Sequence, residues 1–171
     1  MAEILYGLNQ VVEFPQAGPG SATDATAKNP LGIVIRYQGK KYRYVKFDNG
    51  SGNVAAAATK AAYWKSLDPT TGVWTVTSDY TDSIGGINAV AGIFGCAVTD
   101  QYYTWVCVGG TPTCTVDSGT PAGGKMKGSS TDGTLDHIDV GSAVLDNVIG
   151  VALNAYDTAG TAEVLLQNLD W

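Results

Sequence analysis

The chain has 171 residues, 44% of them hydrophobic, with ten Lys and Arg against sixteen Asp and Glu and a formal net charge of -6 at pH 7. That length supports one domain with its own core, and the acidic balance argues against a nucleic-acid partner, whose phosphates are held by clustered Lys and Arg. No run approaches the roughly 20 apolar residues that span a bilayer, so no membrane partner is expected. The opening MAEILYGLNQ lacks the basic-then-apolar order of a secretory signal. Three cysteines, an odd number, suit a reducing compartment, so synthesis in a cytoplasm is expected.

In chain order, Met1 to Pro15 alternates weakly, with Ile4, Tyr6 and Leu8 set against Leu5 and Gly7. It reads as an arm able to add as a strand to another subunit or a partner. Gln16 to Pro30, QAGPGSATDATAKNP, is small, polar and rich in Pro and Gly, the composition of a mobile connector. Residues 1–30 are thus an arm and linker, and residues 31–171 a single β-rich body. The chain's 22 glycines punctuate short β-branched or aromatic runs. Together they predict a mainly β fold: a compact small β-barrel or sandwich with an extended N-terminal arm and at most one short helix.

Candidate strands are QVVEF, LGIVIRYQ, KYRYVKFD, VWTVTS, VAGIFGCAV, YYTWVCVG, TCTVD, VIGVALNAY and AEVLLQN. LGIVIRYQ and KYRYVKFD should pair as a hairpin turning at Gly39, and the one dense basic cluster, Lys40 to Lys46, alternates with aromatics like the outer face of a strand. A second hairpin is expected across GGTP, setting Cys107 opposite Cys114, close enough to bridge, with Cys96 left over. Buried free thiols are nonetheless the preferred reading. NVAAAATKAAYW, Asn53 to Trp64, has the alanine content of a short helix, and DVGSAVLDNVIGVAL holds at most one helical turn before becoming β-like by Val148. One internal echo is visible: Ala91-Gly92-Ile93 followed by Ala97, and Ile149-Gly150-Val151 followed by Ala155.

The chemical motifs are weak. SGTPAGGKMKGSS mimics a phosphate loop, but Met126 rather than Ser or Thr follows Lys125 and no helix start follows, so PAGGK reads as a β-turn between short strands. His137, the single histidine, is flanked by Asp136 and Asp139, yet triad members usually converge from distant segments, and no nucleophile elbow is present. Cys96, Cys107, Cys114 and His137 lack the close cysteine pairs of a zinc site. Asp132, Asp136 and Asp139 lack the ligand order of a calcium loop. Asn49-Gly50-Ser51 reads as a turn rather than a glycosylation acceptor. Tyr63, Trp64, Trp74, Tyr102, Tyr103 and Trp105 are candidates for a sugar-stacking platform or for core and interface.

The order of segments KYRYVKFDNGSGNVAAAATKAAYW, VAGIFGCAVTDQYYTWVCVGG, TVDSGTPAGGKMKGSSTDGTLD and VIGVALNAYDTAGTAEVLLQNL resembles the decoration, or cement, proteins of tailed-bacteriophage heads. It is carried by the Tyr-rich strand leading to Tyr63-Trp64, by Tyr103-Thr104-Trp105-Val106, by the Ala122-Gly123 turn and by the closing Thr-Ala-Glu-Val-Leu-Leu, from about Lys41 onward. The resemblance implies a small β-barrel-like body bound to the outer surface of the expanded capsid, with the major capsid protein as partner, as a homotrimer. Such a protein is a virion structural subunit that stabilises the shell by binding alone, with no cofactor, metal or catalytic residue. The arm residues Ile4, Leu5, Tyr6 and Leu8 are the expected capsid or subunit interface. The runner-up is a head- or tail-fibre module binding host carbohydrate through the aromatics, and a small hydrolase built on His137 is third.

Overall fold

The computed structural model describes residues 2–6, 10–68, 70, 72–139, 147–156, 158–167 and 169, with side chains from Val12 onward. Among these residues the chain is mainly β, with three short 3-10 turns and no α-helix. Strands β1 (Ala2–Tyr6) and β2 (Gln10–Phe14) form a hairpin of their own. Strands β3 (Thr23–Asp24), β4 (Val34–Tyr37), β5 (Lys40–Phe47), β6 (Ala61–Asp68), β7 (Val73–Thr77), β8 (Val90–Phe94) and β9 (Tyr103–Gly109) build a seven-stranded sheet. Within it β5, β9, β8, β6 and β7 pair in that order, and β7 returns to β5 as a parallel partner, which closes a ring. The strands β10 (Thr113–Val116), β11 (Lys125–Gly128), β12 (Leu135–His137), β13 (Gly150–Ala152) and β14 (Gly160–Leu166) form a second closed barrel.

The two rings have one topology. In each, the first strand pairs with the fifth, the fifth with the fourth, the fourth with the second and the second with the third, all antiparallel, and the third closes on the first in parallel. The registers agree as well. Val45 opposite Thr104 recurs as Cys114 opposite Ala162, Ala62 opposite Gly92 as Met126 opposite Gly150, and Ile93 opposite Cys107 as Val151 opposite Leu165. Even the lone bridge between Ala56 and Val98 has its counterpart between Thr120 and Tyr156. The sequence echo around Gly92 and Gly150 therefore marks the fourth strand of each ring.

Those glycines sit where the fourth strand presses on the fifth. A Cβ on Gly92 would lie 2.7 Å from the Cys107 carbonyl oxygen, and one on Gly150 would lie 2.5 Å from that of Leu165. Strand alternation then sorts the side chains into inside and outside. Phe47 and Phe94 meet edge to face inside the first ring, their centroids 5.6 Å apart, with Val45, Val76 and Val106 around them. Val116, Met126, Leu135, Ala152, Val164 and Leu166 fill the second ring, and a single hydrophobic cluster runs through both.

The rings are joined by short backbone bonds: Ala61 N–H donates to the Gly133 carbonyl and Thr115 N–H to that of Thr59, both at 2.8 Å, and Leu169 N–H donates to Val108 at 2.9 Å. The buried Tyr63 hydroxyl donates to the Thr134 carbonyl at 2.8 Å. A smaller cluster covers the outside of the first ring, where Tyr44 and Trp105 lie opposite each other with ring centroids 4.9 Å apart under Val12, Phe14, Ala22 and Ile35. Their counterparts in the second ring, Thr113 and Glu163, are exposed and carry no such cover.

Several sequence expectations hold. All nine candidate strands form, and the β4–β5 hairpin turns through Gln38 and Gly39, both at positive φ (47° and 77°). Pro121 to Gly124 is a turn leading into a strand, not a phosphate loop leading into a helix. Others are corrected. The GGTP stretch does not turn a hairpin: β10 pairs with β14 and β12, and the Gly110 and Pro112 carbonyls accept from Leu166 and Val164, so GGTP carries the chain from one ring to the next. Cys107 accordingly lies opposite Ile93 and Tyr42 and Cys114 opposite Ala162, while the preferred reading of free thiols holds for Cys96, Cys107 and Cys114, of which Cys107 and Cys114 are buried. The Asn53 to Trp64 helix is absent. Asn53 turns at φ 53° and β6 begins at Ala61, because pairing with β8 and Gly133 overrides alanine's helix preference. Residues 140–146 of the second candidate helix fall outside the described residues. Residues 16–30 are not free of the body: the buried Asn29 side chain bridges the Glu13 N–H and carbonyl at 3.0 Å each, and Ala22 lies beneath Trp105.

The close crossing predicts that Gly92→Ala and Gly150→Ala each destabilise the protein by about 1–3 kcal/mol in urea unfolding. Gly160→Ala, where the new methyl would lie 3.9 Å from the Thr158 carbonyl oxygen, should change stability by less than about 0.5 kcal/mol.

Candidate functional site

The expected interface residues Ile4, Leu5 and Tyr6 fall on β1, opposite Val12, Val11 and Gln10 of β2; Leu8 lies outside the described residues. What positions them is β2. Val12 and Phe14 are buried against the first ring, Phe14 packs edge-on to Tyr37 at 5.3 Å, and Asn29 clamps Glu13 from the side. Among the described residues β1 pairs with β2 alone, so the arm is a hairpin whose second strand is rooted in the body.

The aromatic platform does not form from the residues named for it. Tyr63, Trp64 and Trp105 are buried, and Trp74 packs on Trp64 with centroids 5.6 Å apart. Sequence reading missed the reason: Arg43, 2% exposed, points into the ring with its guanidinium 5.0 Å from the Trp74 ring and 5.7 Å from Trp64, and donates to the Leu169 carbonyl at 3.3 Å. A desolvated guanidinium over indole faces is a structural anchor, and the surface of Trp74 it uses is not offered to a sugar.

His137 does meet both flanking carboxylates, contrary to the expectation from sequence adjacency. Its Nε2 lies 2.9 Å from Asp139 Oδ1 and its Nδ1 lies 3.4 Å from Asp136 Oδ1. A general base needs one ring nitrogen facing the proton it removes; here each faces an acid, which suits a surface ion cluster. Among the described residues no group of three or more His, Cys, Asp or Glu is placed to hold a metal ion, and no helix is long and apolar enough to cross a membrane.

The densest polar network lies elsewhere and pins the 49–53 loop. Lys65 Nζ bridges Asp48 at 2.8 Å and Asp82 at 3.0 Å. Asp82 also accepts from Ser51 N–H at 2.9 Å, Asp79 from Gly52 N–H at 3.0 Å and Thr81 Oγ1 at 2.6 Å, and Asp100 from Asn49 N–H at 2.9 Å. Partial burial works against ionisation of Asp48, but Lys65, the Gly50 amide and Gln101 outweigh it and hold the carboxyl below its ordinary value. The Thr81 hydroxyl does the same for Asp79 against its burial, and Lys65 does so for Asp82.

Carboxyls depressed on folding stabilise the protein fully above the ordinary value of 3.8 and lose that contribution as the pH falls through their lower folded values. Thermal melts should therefore drop between about pH 5 and about pH 2, and Lys65→Met should make the drop shallower by releasing Asp48 and Asp82 but not Asp79.

No protein-family model matches the sequence, and no curated protein matches it. Its class is defined by the fold: two tandem five-stranded rings of one topology behind an N-terminal hairpin. That fold is similar to a solved structure, the head fibre gp8.5 N base of bacteriophage phi29, with a TM-score of 0.50 and 12% sequence identity, over 81% of this chain and 100% of that one. At that identity the likeness is one of fold.

Proposed function

We propose that this chain is a structural protein of a bacteriophage virion, seated on the outer surface of the head and acting by binding alone. The observation that carries the reading is the fold match with a phage head fibre base over the whole of that solved chain. The first resemblance, to head decoration proteins, points to the same surface from independent residues. The partner is then the major capsid protein, and the β1 residues Ile4, Leu5 and Tyr6, presented by the rooted β2, are the contact. Many copies on one shell would let a modest interface sum to a large resistance against opening.

A second reading is a head-fibre base present in few copies, which the nature of the structural neighbour favours. A carbohydrate-binding role gains less support, because the aromatics it would use are largely buried.

Copy number separates these readings. Quantifying the chain against the major capsid protein in purified virions should give near-stoichiometric amounts for a decoration subunit and a handful per particle for a fibre base; absence from the particle would overturn both. Arm truncation must respect the core. Deleting residues 1–9 keeps Val12 and Phe14 in place, and is expected to leave a folded body whose pull-down with heads is lost, whereas removing Val12 and Phe14 as well should also lower the melting temperature.

A further inference from the structure

Asn49-Gly50, the chain's single Asn-Gly pair, carries a chemistry that its turn does not use. An asparagine side-chain amide is open to attack by the backbone nitrogen of the next residue, and glycine, with no Cβ to crowd the approach, makes that attack easiest. The resulting loss of the amide is one reason asparagine is thermolabile. No partner but water is needed. The Gly50 nitrogen gives up its proton to water and bonds to Asn49 Cγ, and the Cγ–Nδ2 bond breaks with release of ammonia. Water then opens the cyclic imide at one of its two carbonyls, leaving aspartate or its isomer isoaspartate, in which the main chain runs through the side chain.

The fold requires glycine at position 50. Its φ is 74°, in the left-handed region, and a Cβ there would lie 2.9 Å from Asp79 Cβ. The loop therefore cannot shed the reactive pair by placing a bulkier residue after Asn49, and it holds the pair still instead. Asn49 N–H donates to Asp100, Gly50 N–H to Asp48 and Ser51 N–H to Asp82, each at 2.9 Å, and Gly52 N–H donates to Asp79 at 3.0 Å. Asn53 N–H donates to the Gly50 carbonyl at 3.3 Å and Val54 N–H to that of Asn49 at 2.8 Å. Every amide from Asn49 to Val54 is thus engaged, the first four by four different carboxylates. The Asn49 side chain is tied as well, its Nδ2 donating to Asn53 Oδ1 at 3.1 Å.

Ring closure is incompatible with this arrangement. The Gly50 nitrogen must leave Asp48 and turn onto Asn49 Cγ, and the Asn49 amide must leave Asn53. The backbone between them must rotate while Asp100 and Asp82 fix it on either side. Reaction then proceeds only from the opened loop, at a rate scaled by the fraction of time the loop is open. The product does not fit back. A carboxylate at position 49 would stand among Asp48, Asp79, Asp82 and Asp100, where Lys65 bridges only Asp48 and Asp82. Isoaspartate also lengthens the main chain and throws the amides out of register with their carboxylates.

We propose that Asn49 is a site of spontaneous deamidation that the carboxylate-pinned loop holds closed, so that the modification records opening of the loop irreversibly. The inference rests on this loop and not on the virion reading.

Peptide mass spectrometry on the full chain, sampled during incubation in neutral buffer with and without guanidinium chloride, tests it. The unfolded chain should gain the amide-to-acid mass at Asn49 faster than at any other asparagine, as a mixture of aspartate and isoaspartate. The folded wild type should gain it at least about tenfold more slowly. Asp82→Ala and Asp100→Ala free the loop on either side without touching the Gly50 N–H. Each should speed the folded reaction several-fold with unchanged far-UV circular dichroism, and either one decides the matter if the other does not fold. Asn49→Gln, whose longer side chain cannot close the same ring, should lose the signal at position 49. A folded wild type that reacts as fast as the unfolded chain, or folded variants no faster than the wild type, would overturn the lock. An unfolded chain modified at other asparagines before Asn49 would overturn the site.

Discussion

Closing a sheet of only five strands forces the fourth strand to cross tightly over the fifth, and in both rings that crossing is made by a glycine against a carbonyl, Gly92 on Cys107 and Gly150 on Leu165. A side chain there would push the strands apart and open the ring, since the clash is with backbone rather than with a flexible group. Everything else follows from keeping that distance. With the fourth and fifth strands in contact, the third can reach the first, and the parallel pairs of Phe47 with Val76 and of Val116 with Leu135 close the two barrels. Inside, Phe47 and Phe94 of the first ring have the smaller Val116 and Ala152 as their counterparts in the second.

One scaffold thus appears twice with different outer surfaces. Tyr44 and Trp105 make the outside of the first ring sticky, and the N-terminal segment covers them with Val12, Phe14 and Ile35. Thr113 and Glu163 make the same place on the second ring polar, and both are exposed. The arm is rooted at the first ring because that is where aromatic surface needs covering, and β1 joins it by pairing with β2. Burying Tyr44 costs its hydroxyl little: it donates to Asp24 at 3.0 Å and accepts from Lys28 N–H at 3.2 Å, both from the covering segment.

What was legible in the sequence was local. The β4–β5 hairpin declared itself through alternation and Gly39, and the strands around Val90, Tyr103 and Ala162 through β-branched and aromatic runs. What was not legible was decided by pairing at a distance. β6 hides in an alanine-rich stretch because Ala61 and Ala62 must be small where the second ring and β8 pack on them. GGTP looked like a hairpin turn because a short Gly-rich link between two strands carries no signal of which strands they pair with. β12, only Leu135 to His137, is too short to announce itself. The site followed the same rule: three of four arm residues fall on one strand, as alternation suggested, whereas Arg43 between two tryptophans and the Lys65 bridge between Asp48 and Asp82 join residues far apart in the chain. The exception was the echo at Gly92 and Gly150, a long-range fact written locally because the crossing admits no other residue.

The tandem arrangement resists bending between the rings. The two rings share one continuous hydrophobic cluster and are cross-linked by bonds near both ends of their contact, from Ala61 to Gly133 on one side and from Leu169 to Val108 on the other. A hinge between them would have to break those bonds and expose Ile93 and Cys107 together, so bending is opposed by burial as well as by hydrogen bonding. Load applied at β2 is therefore carried to the second ring through packed strands rather than through a flexible linker.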